Sequence, residues 1–548
     1  MAVSSGHRPG QCRFEAETTT CIECVAVGLS CSYNEERKKR GPKSWRVERF
    51  REAAANSHAS SSLEQPPVLD TLLYLLPINE ASYRVTIEHL MPFTAFQLIM
   101  DDYLSFVYPV IPVVHIPSFQ RRLSARDYNR DPVFLRFCLS ISAVTVSSMP
   151  RKISVYGFGH YEDSRQFVTR AYLLVMASRY TNSSDWADTP SMDTLLCSYL
   201  LSCASHYTEK PSRAWMLMNE SLQNCRNLEI WNRDGYQMLS IIDSEICKRM
   251  FWLLYIVQVH DRLTHISLCA QLGQDPILYD WEFLLPAEVS DEELEQRIQS
   301  SPATAPITGT RISLISGFIA LIKVFLCVGQ LISNSAPLSF AHPNPSWTTN
   351  ILDQLRLNPP YIPHGPAKEC LDIDSLRQML RNLANVLNDL PQELQITANR
   401  PPDLSTNCIQ YNIMKANIHV TRLFFQSTIL ERCSTVFYDS SGLEENLEII
   451  FLSQEQIAKI ELWKARDMIA TELLDVLNHC TRDSLEANGA SVVIKIRSIA
   501  STLLGRDDER IIGSDIAQRA EHYLQNFIEV LSVLDYSHRN VTPAENLT

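Results

Sequence analysis

The stretch SEICKRMFWLLYIVQVHDRLTHI, residues 244–266, decides the fold. Apolar side chains return every three or four positions, with none of the strict alternation of a half-buried strand, so it reads as a helix with a packing face. Its charged members invite a catalytic reading. Yet Glu245 and Arg249 stand four apart, the spacing of a helix-stabilising pair, while Phe251, Trp252 and Tyr255 supply apolar surface. The spacing favours a structural role.

Outward from this segment the pattern repeats. Beyond residue 90, apolar positions recur at helical spacing and prolines fall at segment ends, which predicts an all-α body. Ala214-Trp215-Met216 leads into a helix through Leu228. The run Ile312 to Ile332 is the greasiest, but Lys323, Gln330 and two glycines interrupt it, so it reads as a buried helix and not a membrane span. Residues Met1–Gly10 lack the apolar stretch of a secretory signal.

The chain has 548 residues, 45% apolar and 20% charged, with 16 Gly, a globular composition too long for one core. Paired zinc-protease histidines, nucleophile elbows and phosphate-binding glycine loops are absent, so the sequence gives no support to catalysis. A large helical body still has room for a small-molecule inducer between its helices.

Charge is unevenly spread. The net charge is −13, but Arg37, Lys38, Lys39, Arg40, Lys43, Arg46, Arg49 and Arg51 face only Glu48 within residues 37–51. A basic island before an acidic remainder can grip phosphates or act as a nuclear localisation signal. Acidic residues near 288–296 and 507–509 fit either contacts with transcription machinery or solvated faces.

Fifteen cysteines are present, eleven of them beyond residue 130 and mostly in apolar patterns such as Cys197, Cys203 and Cys327, where they read as reduced core residues. Cys12, Cys21, Cys24 and Cys31 fall within twenty positions of a segment too polar to form a core. Tetrahedral thiolate coordination of zinc replaces the hydrophobic core that such a segment lacks. Cys21-x2-Cys24 is the chelating pair, and the four thiolates suffice for one tetrahedral zinc.

The segment CIECVAVGLSCSYNEERKKRGPK, residues 21–43, resembles the second half of the fungal binuclear zinc cluster, in its cysteine spacing, the Gly-Leu turn before Cys31, Tyr33 and the basic linker. The resemblance implies a nuclear, zinc-dependent regulator of RNA polymerase II transcription, an activator, with double-stranded DNA and the transcription machinery as partners. It places metal ligands at Cys12, Cys21, Cys24 and Cys31. Arg8, Arg37, Lys38, Lys39, Arg40 and Lys43 become the DNA contacts, the linker ones to the phosphate backbone.

In that register the first two ligand positions fall on Ala2 and Ser5, and GHRPGQ stands where the family has a basic reading stretch. His7 is then a solvent-exposed residue, and Pro9 with Gly10 disfavours the reading helix. Three accounts stay open: a start further upstream, a single zinc on four cysteines, or a module that no longer reads DNA. The first is preferred, because damage confined to one half points to a missing segment. On the last account the chain is a DNA-independent regulator that binds a partner or ligand.

Further stretches resemble the fungal-specific regulatory domain that accompanies such clusters. LIMDDYLSFVYPVIPVVHIPSF (98–119), the segment 195–231 and the opening stretch with its Asp261-Arg262 carry the likeness. DWEFLLPAEVSDEELE (280–295), LANVLNDLPQEL (383–394) and NIHVTRLFFQSTIL (417–430) extend it to about residue 430. Gln258–His260 lengthen the interval to Asp261, which predicts a shift of helix phase there.

The expected organisation is a mainly α chain: an incomplete zinc module with basic linker over 1–43, a partly helical linker over 44–90, a regulatory domain over 91–335, and a helical continuation over 336–548. A homodimer is compatible with this plan, although no heptad run specifies one.

Overall fold

The computed structural model describes residues 84–157, 159, 161–182, 189–264, 281–300, 312–332, 380–396, 406–440, 454–504 and 514–534. The chain divides into Met1–Ile78 and Asn79–Thr548, and everything below concerns the second unit. Among the described residues the structure is helical, with no strand.

The first half is built around α3, Pro132–Ser148, which follows α1, Phe93–Asp102, and α2, Ile116–Ser124. Asp131 caps α3 by accepting from the Val133 N–H at 2.8 Å, and Pro132 fills the first turn, where no N–H is needed. From Cys138 to Ser148 every residue of α3 is buried, the mark of a helix surrounded by others. Its hydroxyls are satisfied within the helix: Ser140, Ser142, Thr145 and Ser148 each donate to the carbonyl four residues back.

Helices α4, Ser164–Asn182, and α5, Met192–Tyr207, pack on α3, and α6, Pro211–Asn227, packs on α5. The opening stretch lies in α7, Ile241–Thr264. That helix runs through Gln258–His260 without a break, so the expected shift of phase does not interrupt it; Val259 and Asp261 are both buried. Short helices α8, Trp281–Leu284, and α9, Asp291–Ser300, follow.

The greasy run forms α10, Leu314–Ile332, packed on α7 and on α11, Thr406–Ser440. No helix among the described residues is long and apolar enough to cross a membrane. Close approach sets the α10–α11 contact: a Cβ on Gly317 would stand 2.5 Å from the Met414 Sδ.

Helix α11 organises the second half. Around it lie α12, Gln454–His479, α13, Arg482–Glu486, and α14, Gly489–Ser501, with α15, Ser514–Leu534, against α12 and α14. Gly489 opens α14 at φ +62°, a left-handed conformation that favours glycine. Of the later resembling stretches, 417–430 lies in α11, while 383–394 holds the end of a helical turn and a 3-10 turn, Gln392–Leu394.

Candidate functional site

Three of the resembling stretches converge on one buried polar hub. The sequence that follows Tyr108, punctuated by Pro109, Pro112 and Pro117, cannot supply itself with a continuous helical hydrogen-bond ladder, and it needs partners from elsewhere. Helix α7 provides them. The Arg249 guanidinium, 1% exposed, donates to Asp291 Oδ1 at 2.6 Å, to the Val114 carbonyl at 3.2 Å and to the Tyr108 hydroxyl at 3.3 Å.

Asp291, 3% exposed, completes the hub with its other oxygen. Oδ2 accepts from the Tyr108 hydroxyl at 2.9 Å and from the Ile116 N–H at 2.8 Å. His115 Nε2 lies 2.9 Å from the Asp291 carbonyl, which only accepts, so Nε2 carries the proton. The free lone pair of His115 Nδ1 then caps α2 at the Ser118 N–H.

One turn earlier on α7, Glu245 accepts from the Ala287 N–H at 2.7 Å and from Lys248 Nζ at 3.0 Å. One turn later, the buried Trp252 indole donates to the Leu284 carbonyl at 2.8 Å. Glu245, Arg249 and Trp252 therefore form a single ridge that holds residues 108–116 on one side and 284–291 on the other. The structural role expected of this ridge stands, but the pairing differs: Arg249 takes Asp291 and not Glu245, which is equally buried but is occupied by the Ala287 N–H and Lys248.

Electrostatics follow from this enclosure. Burial by itself raises the Asp291 carboxyl, but the Arg249 guanidinium and the donors from Ile116 and Tyr108 outweigh it and hold the group below its ordinary range. Burial pushes the Tyr108 phenol well above its ordinary value. Every oxygen of the Asp291 side chain is engaged, so the arrangement acts as a latch between segments.

Asp291 also corrects the reading of the acidic run near 288–296 as a solvated or recruiting face. Its first helical acid is buried in the latch, while Glu292 points to solvent. The run beginning at 507 lies outside the described residues. Periodicity alone had no way to expose Tyr108, Val114 or Asp291 as partners of Arg249, because they are 141, 135 and 42 residues away in sequence. The one available signal was proline-broken segments adjoining charged residues.

Of the residues expected to bind metal or DNA, Arg8, Cys12, Cys21, Cys24, Cys31, Arg37, Lys38, Lys39, Arg40 and Lys43 all lie outside the described residues. Among the described residues no group of His, Cys, Asp and Glu is placed to hold a metal ion. Cys138, Cys197, Cys225, Cys247, Cys327 and Cys480 are free and buried, and Cys203 is free and half-buried, as expected for reduced core thiols. Burial pushes the Cys225 and Cys327 thiols up to about 12.

A second polar feature has no counterpart in the sequence reading. Lys495 of α14, 3% exposed, donates to the Thr421 hydroxyl of α11 at 2.8 Å, and burial lowers its ammonium to about 7. Elsewhere on α11, His419 Nε2 donates to the Leu394 carbonyl at 3.0 Å, and the buried Arg422 pairs with Glu472 of α12.

Residues 100–358 match the family described as the fungal specific transcription factor domain. The latch lies wholly within that span. Among curated proteins, the chain is similar to the transcriptional regulator AacuB of Aspergillus aculeatus, with 22% identity over 240 residues. The alignment takes in 43% of this chain and 31% of the relative, so it spans about a third of that protein's length. No solved structure matches.

Proposed function

We propose that this chain, whose residues 100–358 carry a fungal-specific transcription factor domain, is a nuclear, zinc-dependent, DNA-binding activator of RNA polymerase II transcription. The matched domain and the similar regulator support transcription regulation as such. The observation that carries the finer reading is the order of parts: a cysteine cluster and basic linker over 12–43 precede the matched domain.

The donor set fits the metal. Cys12, Cys21, Cys24 and Cys31 are four thiolates, the number that closes one tetrahedral zinc site, and the bound metal would supply the cross-link that folds this polar segment. Arg37, Lys38, Lys39, Arg40 and Lys43 then grip duplex phosphates, with Arg8 beside them, while the helical body receives an inducer or the transcription machinery.

A second reading draws on Ala2 and Ser5, which stand where the family has thiolates: a DNA-independent regulator acting through its helical body. Selection from a randomised duplex pool, together with elemental analysis of the full chain, separates the two. One zinc per chain and an enriched motif are expected on the first reading. Two zincs overturn the single-site assignment. The same weak, salt-sensitive affinity for all sequences leaves only phosphate gripping, and no duplex affinity at all favours the second reading.

A further inference from the structure

The first half of the body carries large apolar side chains on a face that its own core does not use. On α6 the stripe turned to solvent includes Ser212, Trp215, Met216, Asn219 and Gln223, positions where an amphipathic helix ordinarily keeps polar residues. Trp215 is 37% exposed and Met216 54%. Tyr180, near the end of α4, is 62% exposed.

Two contacts set α4 and α6 side by side and place these residues along one seam. The Arg213 guanidinium of α6 lies 4.5 Å from the centre of the Tyr172 ring of α4, and one helical stretch further Arg179 of α4 pairs with Glu220 of α6 at 3.1 Å. Met216 falls between Arg213 and Glu220, one turn from each, on the flank of α6 that borders α4. Tyr180 directly follows Arg179 and stands close enough to Tyr172 to push its phenol up.

The charge along this seam is one-sided. Among the described residues the Arg213 side chain has neither a carboxylate partner nor a hydrogen-bond acceptor, and one of its guanidinium nitrogens is shut off from water. Partial burial lowers the group below its ordinary value. Lys210, one turn earlier, is exposed and likewise has no carboxylate. The carboxylates nearby are taken: Glu209 pairs with Arg165, and Glu220 with Arg179.

Tryptophan, tyrosine and methionine beside an arginine are the side chains that concentrate binding energy at protein interfaces, and unpaired cations select an acidic partner. We propose that the α4–α6 seam is a docking surface for a short segment of a partner protein in which an aspartate or glutamate is flanked by large apolar side chains. The carboxylate meets the outward side of Arg213, and the apolar side chains cover Trp215, Met216 and Tyr180. Covering the seam removes water from around the ion pair and strengthens it. The assignment is independent of whether the chain binds zinc or DNA.

The test is selection from a phage-displayed library of random peptides on the immobilised full chain, followed by titration of a synthetic peptide of the enriched sequence. An acid within one helical turn of Leu, Phe or Trp is the expected consensus. Trp215→Ser combined with Met216→Ser should weaken that peptide about tenfold or more, with the unfolding midpoint showing that the fold is kept. Arg213→Met should abolish the preference for the acidic peptide over its Asn or Gln counterpart. The proposal is overturned if no sequence is enriched, if the consensus is basic, or if the Trp215 and Met216 exchanges leave binding unchanged. A dimer in sedimentation that those exchanges dissociate would assign the seam to a second copy of this chain and overturn it too.

Discussion

Arg249 on α7 and Asp291 at the start of α9 meet at 2.6 Å, with both side chains shut off from water. Through Tyr108, Val114 and Ile116 the same pair fixes the proline-broken segment ahead of α2. An ion pair 42 residues apart in sequence thereby also ties in a segment more than 130 residues earlier.

Removing one partner strands the other. Asp291→Leu or Arg249→Met should each destabilise the fold by about 3–5 kcal/mol, whereas the double replacement of both should cost much less than the two singles added. Urea unfolding of the four proteins measures the coupling. Purely additive costs would contradict the latch.

Acid should release the same pair. The Asp291 carboxyl is held below its ordinary value of 3.8, so its contribution is complete above the ordinary carboxylate range and is lost as pH falls through the lowered folded-state value. Stability measured from pH 6 down to pH 2 should fall more steeply in the native protein than in Asp291→Asn. Parallel curves would refute this.

Lys495 predicts an opposite window. Its ammonium is lowered from 10.5 to about 7, so between those values the unfolded chain binds the extra proton, and stability from this residue rises with pH by up to about 1.4 kcal/mol per pH unit. Buried thiols such as Cys225 and Cys327, raised to about 12, pull the other way above about pH 9. The difference between native protein and Lys495→Met isolates the amine. The variant should be the more stable by a few kcal/mol at pH 7, with the gap closing toward pH 10.

Gly317 tests the α10–α11 approach. Gly317→Ala places a methyl 2.5 Å from Met414 Sδ and should cost about 1–3 kcal/mol, against the usual gain of Ala over Gly within a helix. Chemical denaturation gives the sign. A stabilised variant would mean that Met414 moves aside freely.

Helical class, the buried nature of the greasy run, seen over 312–328, and the packing role of Phe251, Trp252 and Tyr255 were all legible in the sequence, because periodicity and local composition are short-range properties. The stretch 244–266 announced its helix and the residues that matter on it. Which carboxylate Arg249 takes was decided only in three dimensions. Glu245 satisfies the helix rule at four residues' distance and is just as buried, but the Ala287 N–H and Lys248 engage it, and folding brings Asp291 onto the guanidinium instead. The same limit hid Lys495. Its type and spacing resemble any solvated lysine, and only the packing of α14 on α11 removes the water that would have made it ordinary.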